Sequence, residues 1–288
     1  MAVRQDTLWN RFLQPIFSFL LDEEEMKQLS KSKDWEALRD RVCQPDLVYP
    51  DYYLSQNFHG VEGGYLNLDA AITYDPITQY VLPPGETWVR QEAINRIGGQ
   101  PQRILDLGCG TGSTTLLLKK AFPQAEVIGL DLSPYMLAMA EHKASEAGLR
   151  IEWQHDKAEA TGFPNESFDL VTASLLFHET PPAISQSILR EGFRLLQPGG
   201  QVTILDGNQK TLRHTEWLTN VFEEPYIQDY AKGSTDAWMG AAGFDAVQTE
   251  EIWWIHQITR GLKPLGVEEA MVSQYGENTE EGIPAPAF

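Results

Sequence analysis

Ile104-Leu105-Asp106-Leu107-Gly108-Cys109-Gly110-Thr111-Gly112 is the stretch on which the reading of this 288-residue chain turns. An apolar run that ends in an acid and then alternates glycine with other residues is a strand entering a tight turn. Glycine there lets ligand atoms approach the backbone at the C-terminal end of a strand, where open α/β sheets bind their ligands. Counted from Gly108, the sixth position is Ser113, so the glycines fall as G-x-G-x-G. A pyrophosphate-binding dinucleotide turn would need G-x-G-x-x-G.

Downstream, Val127-Ile128-Gly129-Leu130 ends in Asp131, where a carboxylate is placed to accept both ribose hydroxyls of an adenosine. Ser133 is expected to cap the next helix with Pro134 at its first position, and Met136 then lies along an adenine face. In His155-Asp156-Lys157-Ala158-Glu159, the Asp156 carboxylate suits the exocyclic amine of adenine and the following amide suits the ring. Around these sites, strands are expected at 102–107, 126–131, 150–155, 168–173 and 201–206, with helices near 86–97, 112–121, 133–147 and 182–196. Gly199-Gly200 reads as the turn before the fifth strand. Such alternation builds a parallel sheet covered by helices. Two last strand-like runs, 244–249 and 252–259, separated by Glu250-Glu251, predict an antiparallel hairpin.

The glycine loop, Asp131, the Asp156 loop, Ser167-Phe168-Asp169-Leu170-Val171 and Leu196-Gln197-Pro198-Gly199-Gly200-Gln201 occur in one order over roughly 86–260. Together they resemble the class I S-adenosylmethionine-dependent methyltransferases, in particular the branch of ubiquinone/menaquinone-biosynthesis and other small-molecule methyltransferases. The resemblance implies an α/β, Rossmann-like, seven-stranded sheet, mostly parallel with an antiparallel C-terminal hairpin. It implies S-adenosylmethionine as cofactor and S-adenosylhomocysteine as product, held by Asp106, Gly108, Cys109, Gly110, Asp131, Leu132, Met136, Asp156, Lys157, Ala158 and Ser174. Cys109, at the variable position of the loop, reads as structural. Tyr74-Asp75 and Arg90 look like the family's tyrosine-aspartate and basic positions near the methionine part of the cofactor. His178, just past the fourth strand, is the candidate base, with His59 and Tyr53 as alternatives.

The outlying segments organise the rest. Residues 1–85 are expected to hold helices at 7–30 and 32–43 and an aromatic lid or connector over 45–85; 86–265 form the cofactor domain; 266–288 form an acidic, partly disordered tail. An insertion at 207–240, with Trp217, Phe222, Tyr226, Tyr230 and Trp238, is expected to wall the acceptor site.

Composition narrows the partners. Formal charge is −19, and a surface this acidic repels phosphate backbones, so nucleic acid is not expected; the cofactor motif set and the aromatic lid point to a small-molecule acceptor. Two cysteines exclude a disulfide framework and suit a reducing cytoplasm. The apolar run 12–21 is too short for a membrane span, so neither signal peptide nor integral anchoring is expected. No metal-ligand spacing is present, which disfavours metal-dependent chemistry. Methylation of a small, apolar or aromatic acceptor leads the readings; a non-catalytic nucleotide-binding protein on the same fold and a protein methyltransferase are the alternatives.

Overall fold

The computed structural model describes residues 23–56, 58, 63–81, 84–215 and 224–266. In chain order its elements are helices α1 (Glu23–Lys31), α2 (Trp35–Val42), α3 (Asp51–Leu54), α4 (Leu68–Val81) and α5 (Glu86–Ile94), then β1 (Arg103–Leu107), α6 (Ser113–Ala121), β2 (Glu126–Asp131), α7 (Pro134–Glu146), β3 (Glu152–His155) and β4 (Phe168–Ser174). A 3-10 turn (Phe177–Glu179) leads to α8 (Pro182–Leu195), β5 (Leu196–Gly207), α9 (Gln209–His214), α10 (Ile227–Lys232), α11 (Thr235–Ala242), β6 (Asp245–Ile252) and β7 (His256–Leu262).

The strands form one seven-stranded sheet in the order β3-β2-β1-β4-β5-β7-β6. The pairs among β1 to β5 are parallel, and β7 runs antiparallel to both β5 and β6. Leu105, Leu107, Ile128, Leu130 and Val171 are buried, as continuous apolar runs must be when helices cover both faces. Strand order reverses between β1 and β4, which opens a crevice at their C-terminal ends, where the glycine loop lies. Ser133 accepts from the Met136 amide and Pro134 opens α7, so that end is capped as its sequence reads.

Several boundaries differ from expectation for identifiable reasons. Gly199-Gly200 is no turn. Gly199, at φ +77°, sits inside β5, donates to Lys263 O and leaves Gly200 O to accept from Lys263 N, so the segment is an irregular stretch of strand clamped by the chain after β7. Glu250-Glu251 does not turn the hairpin either. Arg96 and Arg260 engage Glu250 at 2.9 and 2.5 Å and keep it on β6, while Ile252 is buried and the chain reverses at Trp253–Ile255. The 45–85 segment holds two helices besides its irregular parts. The start of α4 is marked by Asn67, whose side chain accepts from the Ala70 amide.

The N-terminal helices pack on α7: buried Trp35, Ala71 and Ile72 share one apolar cluster with Met136 and Met139. Among the described residues no helix is long and apolar enough to cross a membrane. Most of the expected 7–30 helix, and the expected tail from residue 267 onward, lie outside the described residues.

Candidate active site

A single cavity at the crevice is lined by Gly108, Cys109, Gly110, Asp131, Leu132, Met136, Asp156, Ala158 and Ser174, with Tyr74 and Arg90 beside them. Its opposite wall holds Tyr52, Tyr53, Phe58 and Tyr65, with Leu175, Leu176 and Glu179 from the chain after β4.

The loop geometry explains the glycines. Gly108 has φ +62°, and a Cβ there would stand 2.6 Å from Leu176 Cδ1. Gly110 has φ +53° with nothing within 4 Å of a Cβ position, so its backbone faces open space. Asp131 braces this loop: one carboxylate oxygen accepts from Gly110 N and the other from Ser133 N, each at 2.8 Å. Burial lifts the Asp131 carboxyl to about 6 against the pull of those two amides. Cys109 is half-buried; its desolvation, with Asp131 and Asp106 nearby, pushes its thiol well above the ordinary range and keeps it protonated.

Three expected residues are not in the lining. Asp106 is buried under the loop, where its two oxygens take the Thr115 and Thr172 hydroxyls at 2.7 Å; it ties α6 and β4 to β1. The Lys157 amide donates to the Asp156 carboxylate at 2.8 Å. His178 sits in a cluster of acids: Nδ1 lies 2.5 Å from Asp206, and Nε2 lies 3.5 Å from Glu224 and 3.9 Å from Glu179, of which only Glu179 is in the lining. Burial alone would depress this imidazole, but the carboxylates of Asp206, Glu224 and Glu179 outweigh it and raise it to about 10. These acids favour the imidazolium form of His178, which works against its taking a proton at neutral pH. His59 lies outside the described residues, as do Trp217 and Phe222.

Arg90 is buried: Nε donates to Glu86 at 2.9 Å and Nη1 to Thr114 at 2.7 Å. The aromatic wall is tied to the sheet by long-range polar contacts. Asp75 takes hydrogen bonds from Thr111 at 2.5 Å and Ser113 at 3.3 Å and pairs with Lys143 at 2.5 Å. Ser133 Oγ donates to Tyr65 O at 2.7 Å. His155 Nδ1 accepts from Gln44 N at 2.9 Å, which makes Nε2 the protonated nitrogen; Nε2 lies 2.9 Å from Leu132 O and 3.1 Å from Tyr49 OH.

Residues 207–240 do not line the cavity in their described part. Tyr226 instead donates to Tyr52 O, and buried Tyr230 donates to Gly207 O, both at 2.9 Å. Sequence reasoning passed over Asp206, although it ends an apolar strand run as Asp106 and Asp131 do. Glu179, read from the sequence as orienting His178 or simply facing solvent, lines the cavity.

A family model for the methyltransferase domain matches residues 104–200. The demethylmenaquinone methyltransferase of Thermus thermophilus is 40% identical over 119 residues, 41% of this chain and 53% of that protein. The Deinococcus radiodurans demethylmenaquinone methyltransferase is matched over 48% of its length, so the chain spans about half the length of these two curated relatives. The Listeria monocytogenes demethylmenaquinone methyltransferase is 30% identical over 175 residues, 60% of this chain and 68% of that protein. Among solved structures, phosphoethanolamine N-methyltransferase 2 of Haemonchus contortus in complex with S-adenosyl-L-methionine superposes with a TM-score of 0.55 at 18% identity, over 69% of this chain and 57% of its own. A SAM-dependent methyltransferase from Aquifex aeolicus gives 0.53 at 18% identity, over 68% and 98%. The strand order, the glycine loop with its bracing acid and the extent of these matches show that the chain belongs to the class I S-adenosylmethionine-dependent methyltransferases.

Proposed function

We propose that this protein transfers a methyl group from S-adenosylmethionine to a small aromatic acceptor. The observation that carries the reading is the continuity of the cavity, in which a strand-end carboxylate and glycine backbone face a wall of tyrosines and phenylalanine without an intervening partition. The residues present fit the cofactor. Open space at Gly110 admits a ligand against the backbone, Asp131 accepts ribose hydroxyls, Asp156 and Met136 receive the adenine, and Arg90 offers its remaining N–H donors to a carboxylate near Tyr74.

When bound, S-adenosylmethionine supplies a methyl group on a sulfonium, already an excellent leaving group. The protein's part is alignment and exclusion of water. Leu175, Leu176 and the aromatic wall close the acceptor end, and the tyrosines stay neutral: burial pushes the hydroxyls of Tyr53, Tyr65 and Tyr74 far above their ordinary range. Among the described residues, Tyr52, Tyr53, Phe58 and Tyr65 from the segment before 86 thus supply the aromatic part of the acceptor wall, and 86–265 supply the cofactor side together with Leu175, Leu176 and Glu179. The curated relatives are named for demethylmenaquinone, an aromatic ring system that suits such a wall, and that acceptor is our first candidate.

Incubation with S-adenosylmethionine labelled in its methyl group, with reduced demethylmenaquinone and separately with a cell extract, tests this reading. Label is expected in demethylmenaquinone and in the small-molecule fraction. Label confined to protein, or none transferred and no S-adenosylhomocysteine bound, overturns it.

A further inference from the structure

We propose that Glu179 is the catalytic residue that takes the proton from an acceptor hydroxyl, and that His178 with Asp206 acts as the positioning pair behind it. The inference rests on the methyl transfer proposed above and assigns its proton to an atom. The acceptor O–H bond breaks as a Glu179 Oε–H bond forms; the oxygen's electron pair is shared into the ring, whose carbon bonds the methyl as the S–CH3 bond breaks with its pair kept on sulfur, and loss of the ring C–H proton to water with return of the Glu179 proton to the oxygen restores the hydroquinone. The acceptor is thus a phenol or enol, a group whose proton becomes strongly acidic as its oxygen begins to share a lone pair.

The geometry singles out Glu179 among the described groups. Three carboxylates line the cavity, Asp131, Asp156 and Glu179. The first two stand at the ends of β2 and β3 and spend oxygens on backbone amides of the cofactor side. Glu179 comes from the turn after β4, among the aromatic residues, where its Oε1 accepts the Tyr65 hydroxyl at 2.6 Å. Its side chain is only 14% exposed, so solvent does not dilute its interaction with a seated acceptor. The other candidates are unsuited. The acids around His178 favour its imidazolium form, and Tyr53 is a neutral phenol whose hydroxyl, among the described residues, has no hydrogen-bond partner. Tyr53 is a donor, fit to hold a second oxygen of the acceptor.

His178 explains how an acid can be kept in an apolar wall. Asp206 holds the ring at 2.5 Å by Nδ1, so that Nε2 points between Glu179 and Glu224. The charged groups facing Glu179 are therefore His178 with its two other acids and, across the cavity, Asp131; the neutral titratable ones are Tyr53, Tyr65 and Tyr74.

The test uses the full chain with S-adenosylhomocysteine and 4-nitrophenol as a binding probe, and reduced demethylmenaquinone for turnover. The wild type is expected to bind the neutral phenol at least about tenfold more tightly than the phenolate, because only the former can donate to a carboxylate. Glu179→Gln should erase that preference while S-adenosylhomocysteine affinity stays within about twofold. Turnover should fall by roughly 10²–10⁴-fold with KM little changed. In Glu179→Ala, added formate should restore part of the loss, which no purely structural role would do. Equal binding of phenol and phenolate by the wild type, which needs no variant, overturns the inference, as does near-normal turnover in Glu179→Gln. Absence of S-adenosylhomocysteine binding by the wild type would instead overturn the methyl-transfer reading.

Discussion

On one side of the cavity the lining is set by strand ends: Gly108 to Gly110 follow β1, Asp131 ends β2 and Asp156 follows β3, each within a few residues of the strand that aims it. On the other side Tyr52, Tyr53, Phe58 and Tyr65 come from a segment that no strand holds. They are fixed by contacts reaching far along the chain, 111 residues from Gln44 to His155 and 68 from Asp75 to Lys143. One side is thus built directly on the sheet. The aromatic side is built on a part that docks, through a few polar ties and the Trp35 cluster, onto α7.

The largest effect expected is behind the lining, at the acid cluster around His178. His178→Ala leaves Asp206, Glu224 and Glu179 facing one another without a cation, and should cost about 3–5 kcal/mol of stability, read by calorimetric melting. The pH dependence has a fixed sign. With the folded imidazole at about 10 and the unfolded one at 6.5, the contribution is complete below about 6.5 and is lost as pH rises through 10. The wild-type melting temperature should therefore fall between pH 7 and 10 relative to the variant. A constant difference across that range would mean that His178 is held by packing alone.

The next effect separates the walls. Asp131→Ala should weaken S-adenosylhomocysteine by about 1–3 kcal/mol through loss of a charged hydrogen-bond partner. In the wild type the affinity should decline as pH falls through about 6, where Asp131 takes up a proton. Isothermal calorimetry reads both, and unchanged affinity would remove Asp131 from the cofactor site. Asp75→Asn acts on the other wall: it weakens the tie to Lys143 and should cost about 1 kcal/mol of stability. KM for the acceptor is expected to rise several-fold while cofactor affinity stays within about threefold. If both constants move together, the walls are one unit and the comparison above fails.

The smallest effect lies at His155. Burial lowers its imidazole, so it is neutral in the folded state and the stability this represents is lost as pH falls below about 6.5. Protonation also removes the acceptor of the Gln44 amide. Hydrogen exchange of residues 44–54, corrected for intrinsic rates, should quicken between pH 7 and 5 relative to the β1 strand. Equal change in both would show global rather than local loosening.

The same division governs what was legible in the sequence. Strand ends announce themselves by composition, so the glycine loop, Asp131 and Asp156 were readable from neighbours alone, as was the Ser133 cap of α7. The charge state of His178 was not, because it depends on Asp206 and Glu224, acids 28 and 46 positions away whose approach only the fold creates. Glu250-Glu251 misled for a related reason: two adjacent acids read as a turn until Arg96 and Arg260 are seen to hold one of them in a strand. In α4, Pro76 and the surrounding aromatic residues masked a helix whose capping Asn67 was nevertheless in plain view.

The two rims of the sheet carry a consequence for the protein in crowded solution. An open sheet ends in strands whose outer amides and carbonyls can recruit another chain and seed aggregates. Here β3 is only four residues long, and the chain at Gln44 lies against its end. At the far rim β6 breaks register between Asp245 and Gln248, where Ala246 takes a positive φ, and carries Asp245, Glu250 and Glu251 on its largely exposed length. An irregular rim broken by a register shift is a poor template for a further strand, and this blunts the one edge of the seven-stranded sheet that is long enough to recruit one.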